Sequence, residues 1–104
     1  MEKRYSEMSH QELREEIATL KVKAQKAEQM GMVNEYAVHE RKMMVAKAYM
    51  MDPSIYEKGD IYELVSEHKG IFEISYMNGY FAWGFRNGQE ELEAVPISVL
   101  GNKK

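Results

Sequence analysis

The stretch 71–86 constrains the fold more than any other part of the chain, because it has the pattern of a β-hairpin. Two runs rich in aromatic and β-branched residues flank the dipeptide Asn78-Gly79. This dipeptide favours a two-residue turn in which both central residues have a positive φ angle. The predicted cross-strand pairs are Met77 with Tyr80, Tyr76 with Phe81, Ile74 with Trp83, and Phe72 with Phe85.

In that register one face of the hairpin is almost wholly apolar. It carries Phe72, Ile74, Tyr76, Phe81, Trp83 and Phe85. A small domain needs such a face for its core, so the pattern predicts that Trp83 is largely buried with Ile74 as its cross-strand neighbour. The alternative is an exposed platform on which nucleic-acid bases stack. The regular alternation favours the core.

The length and composition indicate one domain with one hydrophobic core, since the chain has 104 residues. The net charge of −3 is too mild to attract or to exclude nucleic acid. The chain has no cysteine, which excludes disulfides and thiolate chemistry. Residues 1–8 lack the apolar core of a signal peptide, and no apolar run approaches the roughly 20 residues of a membrane span. We therefore expect a cytoplasmic protein.

Residues 9–52 have the pattern of a helical hairpin. Ser9 and Glu12 have the spacing of a capping box at the start of the first helix. Apolar residues then recur every three or four positions, which predicts a helix over 10–30 with one narrow apolar stripe. The stripe consists of Leu13, Ile17, Leu20, Ala24 and Ala27. Gly31 is typical of a helix end, and the short link after it predicts an antiparallel second helix.

The second helix is predicted to run from the N-cap Asn34 to about Met51, just before Asp52-Pro53. Three apolar stripes follow its surface: Ala37, Met44, Ala48 and Met51; Val38, Val45 and Tyr49; and Tyr36, Met43 and Met50. A helix that is apolar most of the way round needs cover on more than one side. We expect it to lie between the first helix and the sheet, or to be covered in part by another subunit.

Residues 53–104 predict about five short strands. Besides the hairpin, strands are expected over 61–65 and 91–95 and near the end of 96–100, with a polar loop at 66–70. Pro96 argues against a central strand position, and Gly84 suits a sharp bend. The predicted fold class is α+β, with an N-terminal antiparallel helical hairpin (9–52) packed on a C-terminal five-stranded SH3-like β-barrel (53–104). Residues 1–104 are predicted to form a single domain.

The chain resembles the YfhH family, a family of small uncharacterised proteins from Gram-positive, spore-forming bacteria. The resemblance covers essentially the whole chain and is carried by residues 1–9, 26–35, 78–84 and 96–100. It implies a helical hairpin joined to an SH3-like barrel, in agreement with the patterns above. It implies no activity and no functional residues, since the family has no established function.

Residue patterns that support catalysis, metal binding or nucleotide binding are not found. The segment His39–Met43 begins like the zinc motif His-Glu-x-x-His, but Met43 stands where the second histidine is required. The other histidines, His10 and His68, are far apart in the sequence. The glutamates at 90, 91 and 93 suit a solvated turn and edge strand better than a catalytic carboxylate pair. We therefore expect no enzyme, no catalytic residues, no metal site and no cofactor.

Two classes of function are compatible with these patterns. The first is a non-enzymatic adaptor that binds another protein or a second copy of itself, because methionine-rich surfaces adapt to varied partners. Its candidate interaction surface consists of Tyr36, Met43, Met50, Met77 and Tyr80. The second is a nucleic-acid-associated small-barrel protein, supported by fold-level analogy and by the basic residues of the two helices. Glutamates alternate with those basic residues, which favours an ordinary salt-bridged surface.

Overall fold

The computed structural model describes residues 3–65 and 70–104. The chain divides into two compact units, Met1–Met50 and Met51–Lys104. The first holds the helices α1 (His10–Gln29) and α2 (Val33–Ala48), preceded by a 3-10 helix, Tyr5–Glu7. The second holds β1 (Ile61–Leu64), β2 (Ile71–Asn78), β3 (Phe81–Arg86), β4 (Glu93–Pro96) and β5 (Leu100–Lys103), with 3-10 helices at Pro53–Ile55 and Ile97–Val99. Most of the predicted polar loop 66–70, including His68, lies outside the described residues.

Helix α1 begins and ends where its sequence predicts. The backbone N–H of Glu12 donates to Ser9 Oγ at 3.1 Å, and the backbone N–H of Ser9 donates to Glu12 Oε1 at 3.2 Å. These two bonds confirm the capping box. At the other end Gly31 has a φ of +72°, and the N–H of Met32 donates to the Ala27 carbonyl at 2.8 Å. This pattern closes the helix with a Schellman motif, for which glycine is the preferred residue.

The predicted apolar stripe of α1 is confirmed. Leu13, Leu20, Ala24 and Ala27 are buried and Ile17 is half-buried. Helix α2 follows after a short turn and packs along α1, so the helical hairpin is confirmed. On α2 itself only Ala46 and Ala48 are fully buried.

The predicted bounds of α2 are wrong at both ends. The N-cap is Met32 rather than Asn34, and the last helical residue is Ala48 rather than Met51. The carbonyl of Met32 accepts the first helical bond, from the N–H of Tyr36 at 3.0 Å, so the helix begins without a side-chain cap. Residues 49–50 form a turn, which leaves Asp52 to cap the next 3-10 helix.

The five strands form one antiparallel sheet in the order β4-β3-β2-β1-β5. Five short strands are therefore confirmed, and Pro96 lies on the edge strand β4 as its missing N–H requires. The sheet is not closed into a barrel. Among the described residues, β4 and β5 are its two edges.

The chain path nevertheless requires the sheet to curl. In a flat five-stranded sheet the edge strands lie about 19 Å apart, four spacings of about 4.8 Å each. Only the 3-10 helix Ile97–Val99 connects β4 to β5. The four residue steps from Pro96 to Leu100 span at most about 14 Å even when extended, and a 3-10 helix is much shorter. The two edges must therefore bend toward each other.

The hairpin of β2 and β3 is confirmed, but its predicted register is wrong. Asn78 pairs with Phe81, so the central turn residues are Gly79 and Tyr80. Gly79 has a φ of +61°, whereas Tyr80 is not among the residues of positive φ. This is the requirement of a type II′ turn, which needs glycine only at its first central position. The turn is thus displaced by one residue along the chain.

A β-bulge at Ser75 has a larger effect, because it changes which side chains share a face. Tyr76 pairs with Trp83, but Ile74 pairs with Gly84, so one extra residue lies on β2 between these pairs. An extra residue reverses the alternation of faces along the bulged strand. Phe72 and Ile74 consequently share the buried face with Ala82, whereas Tyr76 and Trp83 lie on the opposite face.

Four of the six residues of the predicted apolar face are therefore not core. The buried face of the sheet carries Tyr62, Leu64, Phe72, Ile74, Ala82, Val95 and Leu100. Trp83 is only half-buried, and its cross-strand neighbour is Tyr76 rather than Ile74. Both predictions for Trp83 are wrong for the same reason: an alternating sequence pattern gives no sign of an inserted residue.

Candidate binding surfaces

Four aromatic side chains lie on the face of the sheet opposite to its buried residues. We call Tyr76, Phe81, Trp83 and Phe85 the aromatic face. Tyr76 is 45% exposed, and the other three are half-buried. The rings of Tyr76 and Trp83 stack with their centroids 5.8 Å apart and their planes 5° from parallel. This offset stacking fixes both rings across β2 and β3 and leaves part of the pair accessible.

The described neighbours of the aromatic face are uncharged or acidic. Ala94 on β4 lies opposite Trp83 and is exposed, and Glu73 on β2 lies opposite Phe85 and is also exposed. Residues 51–104 hold nine acidic and five basic side chains in the sequence. Arg86 donates from Nε to Glu93 Oε1 at 2.7 Å, and the register places both on the other face. The charge near the aromatic face is therefore negative.

A second surface forms in the helical unit, where the N-terminal segment folds against both helices. It is a groove of about 490 Å³. Its lining is Lys3, Arg4, Tyr5, Met8, Glu16, Leu20, Lys23, His39 and Lys42. We call it the basic groove, because its described lining brings four cationic side chains and one carboxylate together. A smaller recess of about 310 Å³, which also touches Lys23 and His39, continues it toward the turn between the helices.

Several contacts hold the N-terminal segment in place. The hydroxyl of Tyr5 donates to Glu16 Oε2 at 3.0 Å, and the Tyr5 ring meets the ring of Tyr49 edge-on, with centroids 6.1 Å apart. Lys3 Nζ lies 3.0 Å from Glu12 Oε2. The pKa of Glu12 is lowered, mainly by this hydrogen bond from Lys3 and next by the hydrogen bond from the Ser9 N–H.

The comparisons with known proteins point to one family. The family model described as "Protein of unknown function (DUF1811)" matches residues 3–101. The protein "Uncharacterized protein YfhH" of Bacillus subtilis (strain 168) is 52% identical over 105 residues, which cover 100% of both chains. This chain belongs to that family. The resemblance seen in the sequence is thereby confirmed, and the family's function is unknown.

For this family member, the structure divides the predicted interaction surface between the two units. Tyr36, Met43 and Met50 belong to the helical unit, and Met77 and Tyr80 belong to the sheet unit. All five side chains are half-buried. Met77 pairs with Ala82, and Tyr80 is a turn residue, so the predicted pairing of Met77 with Tyr80 is wrong. The α2 stripe of three residues remains a prediction.

The histidines and carboxylates of this family member do not gather into a metal-binding group in the described ranges. His10 is exposed and His39 is half-buried. No group of three His, Cys, Asp or Glu residues that could hold a metal ion occurs within 3–65 and 70–104. In the sheet unit, the pKa of Tyr56 is raised, mainly because the side chain is buried and secondarily because of Tyr62, whose ring centroid lies 5.2 Å from that of Tyr56. The phenol of Tyr56 is therefore harder to ionise than that of a tyrosine in water.

Sequence reasoning missed two features of these surfaces. The exposure of Tyr76 follows from the bulge at Ser75, for which the alternating pattern gives no signal. Lys3 and Arg4 join the basic groove because Tyr5 anchors their segment, and helical periodicity does not extend to that segment. Lys23 and Lys42 were recognised only as members of a mixed helix surface, and the packing of α1 on α2 brings them to one groove.

One further exposed cluster lies at the turn between the helices. Met30 is 63% exposed and Val33 is 75% exposed, with Met32 between them at 37%. Apolar residues around a predicted turn were the available signal for it.

No membrane-spanning helix occurs in the described ranges. None of the helices there combines the length and the apolar character needed to span a bilayer.

Proposed function

We propose that the chain is a non-enzymatic protein-interaction module whose partner binds the aromatic face. One observation carries the proposal: the stacked pair of Tyr76 and Trp83 lies on a sheet face that the protein does not use as its core, and Tyr76 is 45% exposed. Tyrosine and tryptophan are enriched among the residues that dominate binding energies at protein interfaces. A pre-stacked pair also loses little conformational freedom when a partner arrives.

The chemistry of the face favours a basic, extended segment of another protein. Four aromatic rings in adjacent strands offer flat surfaces to aliphatic chains and to guanidinium groups. Glu73, exposed beside Phe85, adds a carboxylate that an arginine or lysine of the partner can pair with. The excess of acidic over basic residues in 51–104 attracts a basic segment at longer range.

The topology supports an SH3-like barrel as the scaffold of this face. Here four strands form a meander, a 3-10 helix follows, and the fifth strand pairs with the first. SH3-like barrels have this arrangement of strands. The short connection Ile97–Val99 brings the edges β4 and β5 toward each other, as argued above. Small barrels of this kind bind extended peptides in aromatic-lined grooves, an analogy that is consistent with the proposed partner.

The second candidate is binding of single-stranded nucleic acid, with bases stacked on the aromatic face. The parallel rings of Tyr76 and Trp83 favour it, because base–aromatic stacking tolerates any base. The charge opposes it, since nucleic-acid binding needs basic side chains near the phosphates and the described surroundings of this face hold Glu73 instead. We therefore rank it below the peptide partner.

Site-specific photo-crosslinking in the native cell tests the proposal. The aromatic photo-crosslinker p-benzoylphenylalanine replaces Tyr76 in one strain and Val22, which is 65% exposed on α1, in a control strain. We expect one predominant protein adduct from position 76 that position 22 does not give. Mass spectrometry then identifies the partner.

A binding measurement with the purified partner completes the test, with the emission of Trp83, the single tryptophan of the chain, as readout. Tyr76→Ala should weaken binding at least tenfold, about 1.4 kcal/mol, whereas Val22→Ala, at a position 65% exposed on α1, should have little effect. A nucleic-acid adduct would favour the second candidate. The absence of any adduct beyond that of position 22 would refute both.

A further inference from the structure

We propose that the basic groove of the helical unit binds a small organic molecule that carries two or more phosphate groups. The proposal is independent of the aromatic face, because the described lining of the groove comes from residues 3–42. It rests on three observations: the convergence of cations, the lack of a described ion-pair partner for three of them, and the volume and lining of the groove.

Cationic groups from three different elements meet in the basic groove. Lys3 and Arg4 come from the N-terminal segment, Lys23 from α1 and Lys42 from α2. Among the described residues of the lining, Glu16 is the only one with a carboxylate, and one of its oxygens accepts the hydrogen bond from Tyr5. The protein as a whole carries a net charge of −3, so this positive cluster is local. Clustered cations repel one another unless an anion binds between them.

Three of the four cations have no ion-pair partner in the part of the chain that the structure describes. Arg4, Lys23 and Lys42 pair with no described carboxylate, whereas Lys3 pairs with Glu12. His39 also borders the groove, and its Nδ1 is buried without a hydrogen-bond partner among the described residues. Phosphate oxygens provide the acceptors that lysine, arginine and histidine side chains bind.

The dimensions of the groove favour a small ligand over a macromolecule. A volume of about 490 Å³ is in the usual range for small-molecule sites. Met8 and Leu20 give the groove an apolar part, against which the organic part of a ligand can pack. Outside the groove, the basic residues of α1 and α2 alternate with glutamates. The helices therefore offer no extended basic stripe to a nucleic-acid backbone.

Isothermal titration calorimetry with the full chain tests the proposal, with inorganic tripolyphosphate and ATP as probes at low salt. We expect both to bind, and the double variant Lys23→Glu with Lys42→Glu to lose at least tenfold in affinity. The matched control is Lys21→Glu with Lys47→Glu, which makes the same charge change at exposed positions of the same helices outside the groove. The control should bind both probes as the unchanged chain does.

The two probes distinguish the source of the phosphate groups. Tighter binding of ATP would identify an organic phosphate that uses the apolar part of the groove, as proposed. Equal binding would limit the site to the phosphate chain and overturn the organic part of the proposal. Absence of binding at millimolar concentration, equal losses in both double variants, or binding of a single-stranded oligonucleotide alone would overturn the proposal entirely. Far-UV circular dichroism of each variant excludes unfolding as the cause.

Discussion

At the scale of single residues, Gly84 sets how closely β2 and β3 approach each other. A Cβ atom at this position would overlap the backbone carbonyl oxygen of Glu73 and lie 2.9 Å from Cε2 of Phe72. The φ of Gly84 is not positive, so its role is space rather than an unusual backbone angle. The sequence predicted a bend here, and the irregularity lies across the ladder, at Ser75.

The first prediction at this scale concerns Gly84→Ala. The added methyl group must displace the backbone of Glu73 and also crowds the ring of Phe72. We expect the free energy of unfolding to fall by about 1–3 kcal/mol, as for other overpacked positions. Urea unfolding followed by circular dichroism measures it. Ala94→Ser, exposed on the neighbouring strand, should change it by less than about 0.5 kcal/mol, and equal effects would contradict the explanation.

The second residue-scale prediction concerns Glu12 and pH. Its pKa is lowered by the Lys3 hydrogen bond and by the Ser9 N–H, so its charged form favours the folded state. A carboxyl group of this kind stabilises the protein above its unfolded pKa, and the stabilisation is lost as the pH falls through the folded pKa.

Glu12→Gln should therefore lower the melting temperature at neutral pH, and the difference from the unchanged chain should shrink below about pH 4. Thermal unfolding at a series of pH values checks it. Glu15→Gln, exposed on the same helix, controls for the loss of one negative charge. A difference independent of pH would show that the carboxylate is not the cause.

At the scale of elements, the bulge in β2 decides which residues form the core and which form the surface. On one side of Ser75 the strand buries Phe72 and Ile74, and on the other side it exposes Tyr76. A regular strand would place all three on one face. The extra residue thereby converts a hairpin with a single apolar face into one with a core and a separate aromatic surface.

This interpretation predicts unequal costs for two aromatic truncations in the hairpin. Phe72 is 0% exposed, so Phe72→Ala should lower the free energy of unfolding by about 3–5 kcal/mol. Trp83 is only half-buried, so Trp83→Ala should cost clearly less although its side chain is larger. Urea unfolding followed by circular dichroism compares the two. A larger cost for Trp83→Ala would return Trp83 to the core and remove the basis for the aromatic face.

At the scale of the whole molecule, the net charge hides a separation of surfaces. The chain as a whole is mildly acidic, yet the helical unit gathers cations into one groove and the sheet unit carries an acidic excess. The two candidate surfaces thus suit ligands of opposite charge. The family to which the chain belongs has no known function, so the experiments described above are the tests of both surfaces.

The sequence by itself determined the local structure of this protein. The capping box, the apolar stripe of α1, the glycine at its end and the edge position of Pro96 are set by neighbouring residues and by backbone chemistry. The existence of the hairpin and the number of strands follow from the same kind of local pattern. These features involve residues no more than about one helical turn or one β-turn apart, so they can be deduced without knowing the fold.

Only the tertiary structure decided the strand register, the core and the candidate surfaces. The displaced turn and the bulge depend on how β2 packs against β3, and no single-strand pattern records an inserted residue. Likewise, Lys3 and Lys42 are separated by most of the helical unit in sequence, and they meet because Tyr5 bonds to Glu16 and α2 packs on α1. Contacts between distant residues depend on the summed packing of the whole chain, and for that reason the aromatic face and the basic groove became visible only in three dimensions.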